Sequence, residues 1–341
     1  MSTKASWRSA TSIRTLLVAA VAGVVAAGSY VYVAPSADGH HRGLSSGDSS
    51  TPFTTADVGS CLTWDVGADG SVSNFEQANC QGKHRFEVAS REDLSSYPSS
   101  EFGEAAPMPD QERQAQLREE LCRAPALQYV EGVFDPAGRY AIAPILPPAE
   151  AWKNGDRTML CGFQSTDADG IAQLTTGKVA DQDQSRVAQA GQCLAIAEDQ
   201  SVRPIDCSRD HAMEVTSIIN LQEKFPDHIP SMEEQDDLLK DVCTKAAIDY
   251  IGDDDKLYAT SLQPYWTSLS EESWNGGSRS VNCALVSGGD EGFAQLRGSA
   301  KGEFTINGEP PAPQPERPPK PEAPAPSEAP VSPAPPAPPA R

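Results

Sequence analysis

The chain has 341 residues, of which 27 are basic and 48 acidic, with a formal net charge of −21 and 38% hydrophobic residues. An acidic chain lacks the clustered Lys and Arg that phosphate backbones require, which excludes nucleic acid as a partner and removes any electrostatic draw to anionic lipid. The low apolar fraction excludes a multi-span membrane protein.

Residues 1–15 carry Lys4, Arg8 and Arg14 and no acid. From Leu16 to Val33 there is no charge. With Thr15 this run spans about 28 Å as a helix, close to the thickness of a hydrocarbon core. A single transmembrane anchor is predicted at 16–34, with residues 1–15 in the cytoplasm and the remainder outside. Removing those three basic residues leaves 24 basic and 48 acidic side chains, or −24, on the outer side. The alternative is a cleaved signal peptide with Leu16–Ala27 as its apolar core and Val25-Ala26-Ala27 before the cut, which makes the protein secreted. Tyr30 and Tyr32 at the outer end favour a retained anchor. No Cys lies near Gly28, so a lipoprotein is excluded.

Residues 35–52 read as a polar linker. His40 and His41 lie in it and read as solvated. Gly43-Leu44-Ser45-Ser46-Gly47 spells G-x-S-x-G, but no strand precedes it, so it is not a nucleophile elbow.

The middle of the chain repeats. One unit is predicted at 53–167 and a second at 187–308, joined by a connector at 168–186. Gly59-Ser60-Cys61-Leu62 answers to Gly191-Gln192-Cys193-Leu194. The run from Cys80 through His84 and Glu87 to Val88 answers to Cys207, His211, Glu214 and Val215, both C-x3-H-x2-E-V. Leu121-Cys122 answers to Val242-Cys243, and Trp152…Arg157…Cys161 answers to Trp274…Arg279…Cys283. Each unit reads βββαββ, an α+β fold of small antiparallel sheet plus helix. Hairpin turns are predicted at Asp69-Gly70 and at Glu198-Asp199-Gln200, in registers that set Cys61 opposite Cys80 and Cys193 opposite Cys207. Pro204 marks its strand as an edge. After Pro230, Ser231 and Glu234 form a capping box before a helix that Gly252 ends. In the first unit Asp110 caps, and Pro125 is expected to kink or break the helix. Residues 309–341 hold 15 of the 29 prolines and read as a disordered, polyproline-type spacer.

Eight cysteines in an exported chain read as disulfides. The hairpin registers favour Cys61–Cys80 and Cys193–Cys207, leaving Cys122–Cys161 and Cys243–Cys283. Zinc is the competing reading, since C-x3-H occurs twice, but no C-x2-C is present and thiols outside the cell oxidise. Asp65, Asp69, Gly70 and Glu76 partly fit a calcium loop, but Gly67 stands where a ligand belongs, and a hairpin turn explains the same residues. No metal, no cofactor and no catalytic residue is assigned.

His84 with Glu87, and His211 with Glu214, offer general acid/base chemistry. Three residues apart at a strand entry, each pair is expected on opposite faces, which weakens that reading. The plainer one is a turn histidine bonded to backbone and a strand glutamate in water. Exposed His and Glu at repeated positions are also where a binding site belongs, so these four are the candidate binding residues. Trp152 and Trp274 are expected to pack beside the final cystine of each unit.

The G-x-C-L opening, the C-x3-H-x2-E-V core, the helix cysteine and the W-x-x-G…C ending resemble the septum-formation domain of actinobacterial membrane proteins, in two tandem copies. The N-terminal anchor and Pro-rich tail fit that layout. The resemblance implies a role in septum formation during cell division and supplies no catalytic residues. The reading is a binding or scaffold protein, anchored in the plasma membrane, that contacts envelope proteins or wall polymer. The alternatives are an envelope hydrolase using His/Glu or a metal, and a ligand-sensing ectodomain.

Overall fold

A computed structural model describes residues 53–315, apart from 68–71, 98–99, 168–169, 199 and 290–291. The expected membrane segment, the linker up to residue 52 and the tail from residue 316 lie outside the described residues. No helix among the described residues is long and apolar enough to cross a membrane.

Two antiparallel sheets carry the fold. The first has strands β1 (Cys61–Val66), β2 (Val72–Ala78), β3 (Phe86–Asp93), β4 (Tyr140–Ile145) and β5 (Thr158–Thr166) in the order β2-β1-β3-β5-β4, with β6 (Ala172–Gln173) paired to β5. The second has β7 (Cys193–Ile196), β8 (Val202–Ile205), β9 (Met213–Asn220), β10 (Gln263–Trp266) and β11 (Ser280–Val286) in the order β8-β7-β9-β11-β10. The two orders are the same. β5 and β11 are buried almost throughout, because each is an interior strand of its sheet, paired on both sides and covered on both faces. Three of the outer strands carry a proline, Pro144 in β4, Pro204 in β8 and Pro264 in β10, so they lack a donor for further pairing.

The hairpin registers differ from expectation by two residues. Cys61 faces Ala78 and Cys193 faces Ile205, so Cys80 and Cys207 lie just beyond their strands. A shift of two keeps each side chain on the same face. All four expected disulfides are present: Cys61–Cys80, Cys122–Cys161, Cys193–Cys207 and Cys243–Cys283.

In the second unit one helix, Met232–Ile251, crosses the sheet behind a full capping box of Ser231 and Glu234, and Gly252 ends it at a φ of 118°. Its buried Leu239 and Cys243 pack with Trp274, Val281 and Cys283. The first unit has the same helix in two pieces, α1 (Gln111–Leu117) and α2 (Arg123–Tyr129), with a π-helical turn at Arg118–Cys122 between them. Asp110 caps α1 through the Arg113 N–H at 2.9 Å. Pro125 explains the turn. It offers no N–H to the Leu121 carbonyl and its ring crowds that oxygen, so the helix widens locally rather than breaking.

A short helix carries each tryptophan, Ala149–Lys153 and Glu271–Asn275. Trp152 packs with Cys122 and Cys161, and Trp274 with Cys243 and Cys283. The following arginine stacks on the ring, Arg157 at 4.1 Å from the centre of Trp152 and Arg279 at 4.7 Å from that of Trp274. Arg157 is buried and donates to the carbonyls of Phe102, Gly103, Glu104 and Trp152. The recurring Trp-to-Arg spacing is therefore a cation–π pair whose guanidinium gathers loop carbonyls.

The connector is part of the packed body. Gln184 accepts from the Asp135 N–H and donates to the Val133 carbonyl, while its own N–H reaches Gly277. Asp183 accepts from the Arg279 N–H at 2.9 Å and the Ser280 hydroxyl at 2.5 Å. Burial works to raise the Asp183 pKa, but these bonds and those from Ser185 outweigh it and hold the carboxyl below its usual range. Asp135 of the first unit accepts from Ser278 at 2.5 Å and Ser273 at 3.4 Å of the second. Residues 311–315 of the Pro-rich segment also lie on the body, where Tyr258 donates to the Pro315 carbonyl at 3.0 Å.

Candidate functional site

The four candidate residues are buried, contrary to the exposed positions expected for them. His84 is 1% exposed, Glu87 1%, His211 3% and Glu214 1%. A segment arriving from after the last strand covers each pair. In the first unit the backbone of His84 pairs with Thr175, the Gly177 N–H reaches the Cys80 carbonyl, and the Val179 N–H reaches Glu87 Oε2 at 2.7 Å. In the second unit His211 pairs with Leu296, the Gly298 N–H reaches Cys207, and the Ala300 N–H reaches Glu214 Oε2 at 2.7 Å. The intervals along the two closing segments are identical. Both glycines have positive φ, 77° and 92°, which lets the chain turn in over the cystine.

The helix supplies the other partner of each carboxylate. Tyr129 donates to Glu87 Oε1 and Tyr250 to Glu214 Oε1, each at 2.5 Å. Ser299 adds a third donor to Glu214 at 2.7 Å. Burial raises both phenol pKa values, and the adjacent carboxylate raises them further. Both side-chain oxygens of each glutamate are thus hydrogen-bonded inside a clasp that ties helix, sheet and closing segment together. The two tyrosines were not singled out in the sequence, yet each stands seven residues after its helix cysteine, Cys122 to Tyr129 and Cys243 to Tyr250.

Each histidine is fixed by its own turn. The Nδ1 of His84 lies 3.0 Å from the Gly82 carbonyl, and that of His211 lies 2.9 Å from the Arg209 carbonyl. The Nε2 atoms of both are buried and meet no hydrogen-bond partner among the described residues. His211 and Glu214 do not diverge to opposite faces. A ring nitrogen of His211, a carboxylate oxygen of Glu214 and Sγ of Cys193 all lie within 4.8 Å of one another. That sulfur is bonded to Cys207. As an acid/base pair, His and Glu here lack a path to a polymeric substrate, since the closing segment lies over them. Of the calcium-loop residues, Asp65 and Glu76 sit on the paired strands of a hairpin, with Asn74 donating to Asp65 at 2.7 Å, while Asp69 and Gly70 lie outside the described residues.

Comparison with known proteins places these features in a family. The family described as Septum formation matches residues 58–283 in one stretch that spans both sheets. Two relatives from Mycobacterium tuberculosis, strains CDC 1551 / Oshkosh and ATCC 25618 / H37Rv, are each described as an uncharacterized membrane protein. Each is 37% identical over 327 residues, covering 91% of this chain and 72% of the relative. No solved structure matches the chain. From the first to the last cysteine of the two sheets, and over the whole C-x3-H-x2-E core of each, the chain belongs to the Septum formation family.

Proposed function

We propose that this chain is a membrane-anchored scaffold of the cell envelope that acts in septum formation by holding envelope proteins or wall polymer, without catalysing a reaction. The observation that carries this reading is the burial of both His/Glu pairs. The repeated polar residues maintain two closed, cystine-stapled units, and the surface is left for contact. Family membership supports the septal role, and the description of the relatives as membrane proteins supports attachment through the apolar run at 16–34. Disulfides support placement of the body in an oxidising compartment outside the plasma membrane. The shared strand order, cystine pairing, Trp–Arg stack and clasp support two copies of one ancestral unit.

The test is a fluorescent protein fused to the N-terminus, the end assigned to the cytoplasm, and imaged in dividing cells. Enrichment at the septum is expected. A uniform peripheral signal sinks the septal role. Replacing His84 and His211 together separates scaffold from enzyme: a folded variant that loses a wall-directed activity overturns the non-catalytic reading.

A further inference from the structure

The second clasp has the makings of a metal site. Nδ1 of His211 bonds to the Arg209 carbonyl, so Nδ1 carries the proton and Nε2 presents a lone pair. A backbone carbonyl on one ring nitrogen is the outer contact that orients metal-ligating imidazoles. The other nitrogen is buried and meets no hydrogen-bond partner among the described residues. Glu214 has three donors, two on Oε1 and one on Oε2. A carboxylate offers about four lone-pair sites, so one on Oε2 is left. Cys193, His211 and Glu214 are the one Cys/His/acid trio this tight among the described residues, at 4.8 Å or less. Zinc held at about 2.0–2.3 Å sets its donors roughly 3.5 Å apart, so a contraction of about 1 Å per side completes the shell.

We propose that Cys193, Cys207, His211 and Glu214 form a zinc site that opens when the Cys193–Cys207 disulfide is reduced. The sulfur of Cys193 is fully buried, whereas Cys207 is partly exposed and open to attack. A dithiol reductant supplies two electrons. The Cys193–Cys207 bond breaks, both sulfurs become thiolates, and the reductant closes its own disulfide and releases two protons. The zinc ion takes the two thiolates. Charge favours the metal, because reduction alone leaves two thiolates beside the Glu214 side chain and an unfilled imidazole acceptor. A dication compensates them together. The Cys122–Cys161 and Cys243–Cys283 disulfides, whose four cysteines are fully buried, stay closed and hold helix to sheet.

The experiment uses the full chain with Cys207→Ser, which frees the Cys193 thiol with no reductant present. Titration with cobalt(II) is expected to give one bound equivalent with a thiolate-to-cobalt absorption band. Zinc(II) displaces it, oxidised wild type shows no band, and Cys207→Ser combined with His211→Ala loses it at least tenfold in affinity. Absence of the band in Cys207→Ser, or its survival after His211→Ala, overturns the site. If circular dichroism shows that Cys207→Ser does not fold, phosphine-reduced wild type serves instead. One equivalent of zinc(II) is then expected to slow reoxidation of the 193–207 pair at least tenfold, and an unchanged rate overturns the proposal.

Discussion

Tyr250 reaches Glu214 from the helix, and its phenol is the one group that ties that helix to the buried carboxylate. Replacing it with Phe keeps the ring and removes the donor. A buried acceptor oxygen short of one partner costs about 1–3 kcal/mol, so Tyr250→Phe is expected to lower unfolding stability by that amount in urea titrations. The same phenol sets an alkaline limit. Its folded pKa is raised, first by burial and then by Glu214, above the usual tyrosine value of about 10. A raised folded value means the stability it contributes is fully present below about pH 10 and is lost as pH rises through the folded value. Wild type is therefore expected to lose stability above about pH 10 more steeply than Tyr250→Phe, read from urea midpoints across that range. Equal slopes would show that the phenol is not held by Glu214. At this scale the sequence was half legible. C-x3-H-x2-E-V announced His211 and Glu214, but not that they are buried. The covering N–H comes from Ala300, 86 residues later, and the corresponding one in the first unit from Val179, 92 residues after Glu87. No local pattern reports a contact of that range.

Elements were more legible than contacts. The capping box at Ser231, the cap at Asp110 and the edge role of Pro204 follow from short-range chemistry, and the structure has all three. Pro125 forced a π turn rather than a break because α2 still buries Ala126 against the sheet. The hairpin registers differ from expectation by two residues because symmetry about the turn does not fix which residues of the two strands pair. Each second cysteine instead sits past its strand and reaches back. The cystines also differ in what they constrain. Cys243–Cys283 closes 40 residues and joins helix to sheet, while Cys193–Cys207 closes 14 across a hairpin already held by its ladder. Chain entropy assigns about 4 kcal/mol to the longer loop and about 3 to the shorter. Replacing both cysteines of a pair by alanine is thus expected to destabilise more at 243–283 than at 193–207, by about 1 kcal/mol or more in urea. The reverse order would mean that the hairpin forms only through its cystine.

The two units differ where they meet, and the difference locates the seam. Two residues after Trp152 stands Asn154, and two after Trp274 stands Gly276. Gly276 has φ −75°, which any residue adopts, so backbone freedom does not require glycine there. Space does. A Cβ at 276 would lie 2.7 Å from the Asp135 Cα, 2.8 Å from its N and 2.8 Å from the Phe134 carbonyl oxygen. All three are backbone atoms of the first unit, and none can swing away as a side-chain tip would. Around that contact run the bonds from Ser273 and Ser278 to Asp135 and from Gln184 to both units. Polar seams hold only while every member is paired, so a small separation loses several bonds at once. Gly276→Ala is therefore expected to cost about 1–3 kcal/mol through overpacking and, more tellingly, to uncouple the units. Scanning calorimetry of the wild-type chain should give one transition for both sheets. The variant should give two, with the disulfides intact in each. Asn154→Ala, at the exposed matching position of the first unit, should leave the single transition unchanged. A single transition in Gly276→Ala at the wild-type temperature would mean that the seam absorbs the added methyl without cost and that the two units stay coupled.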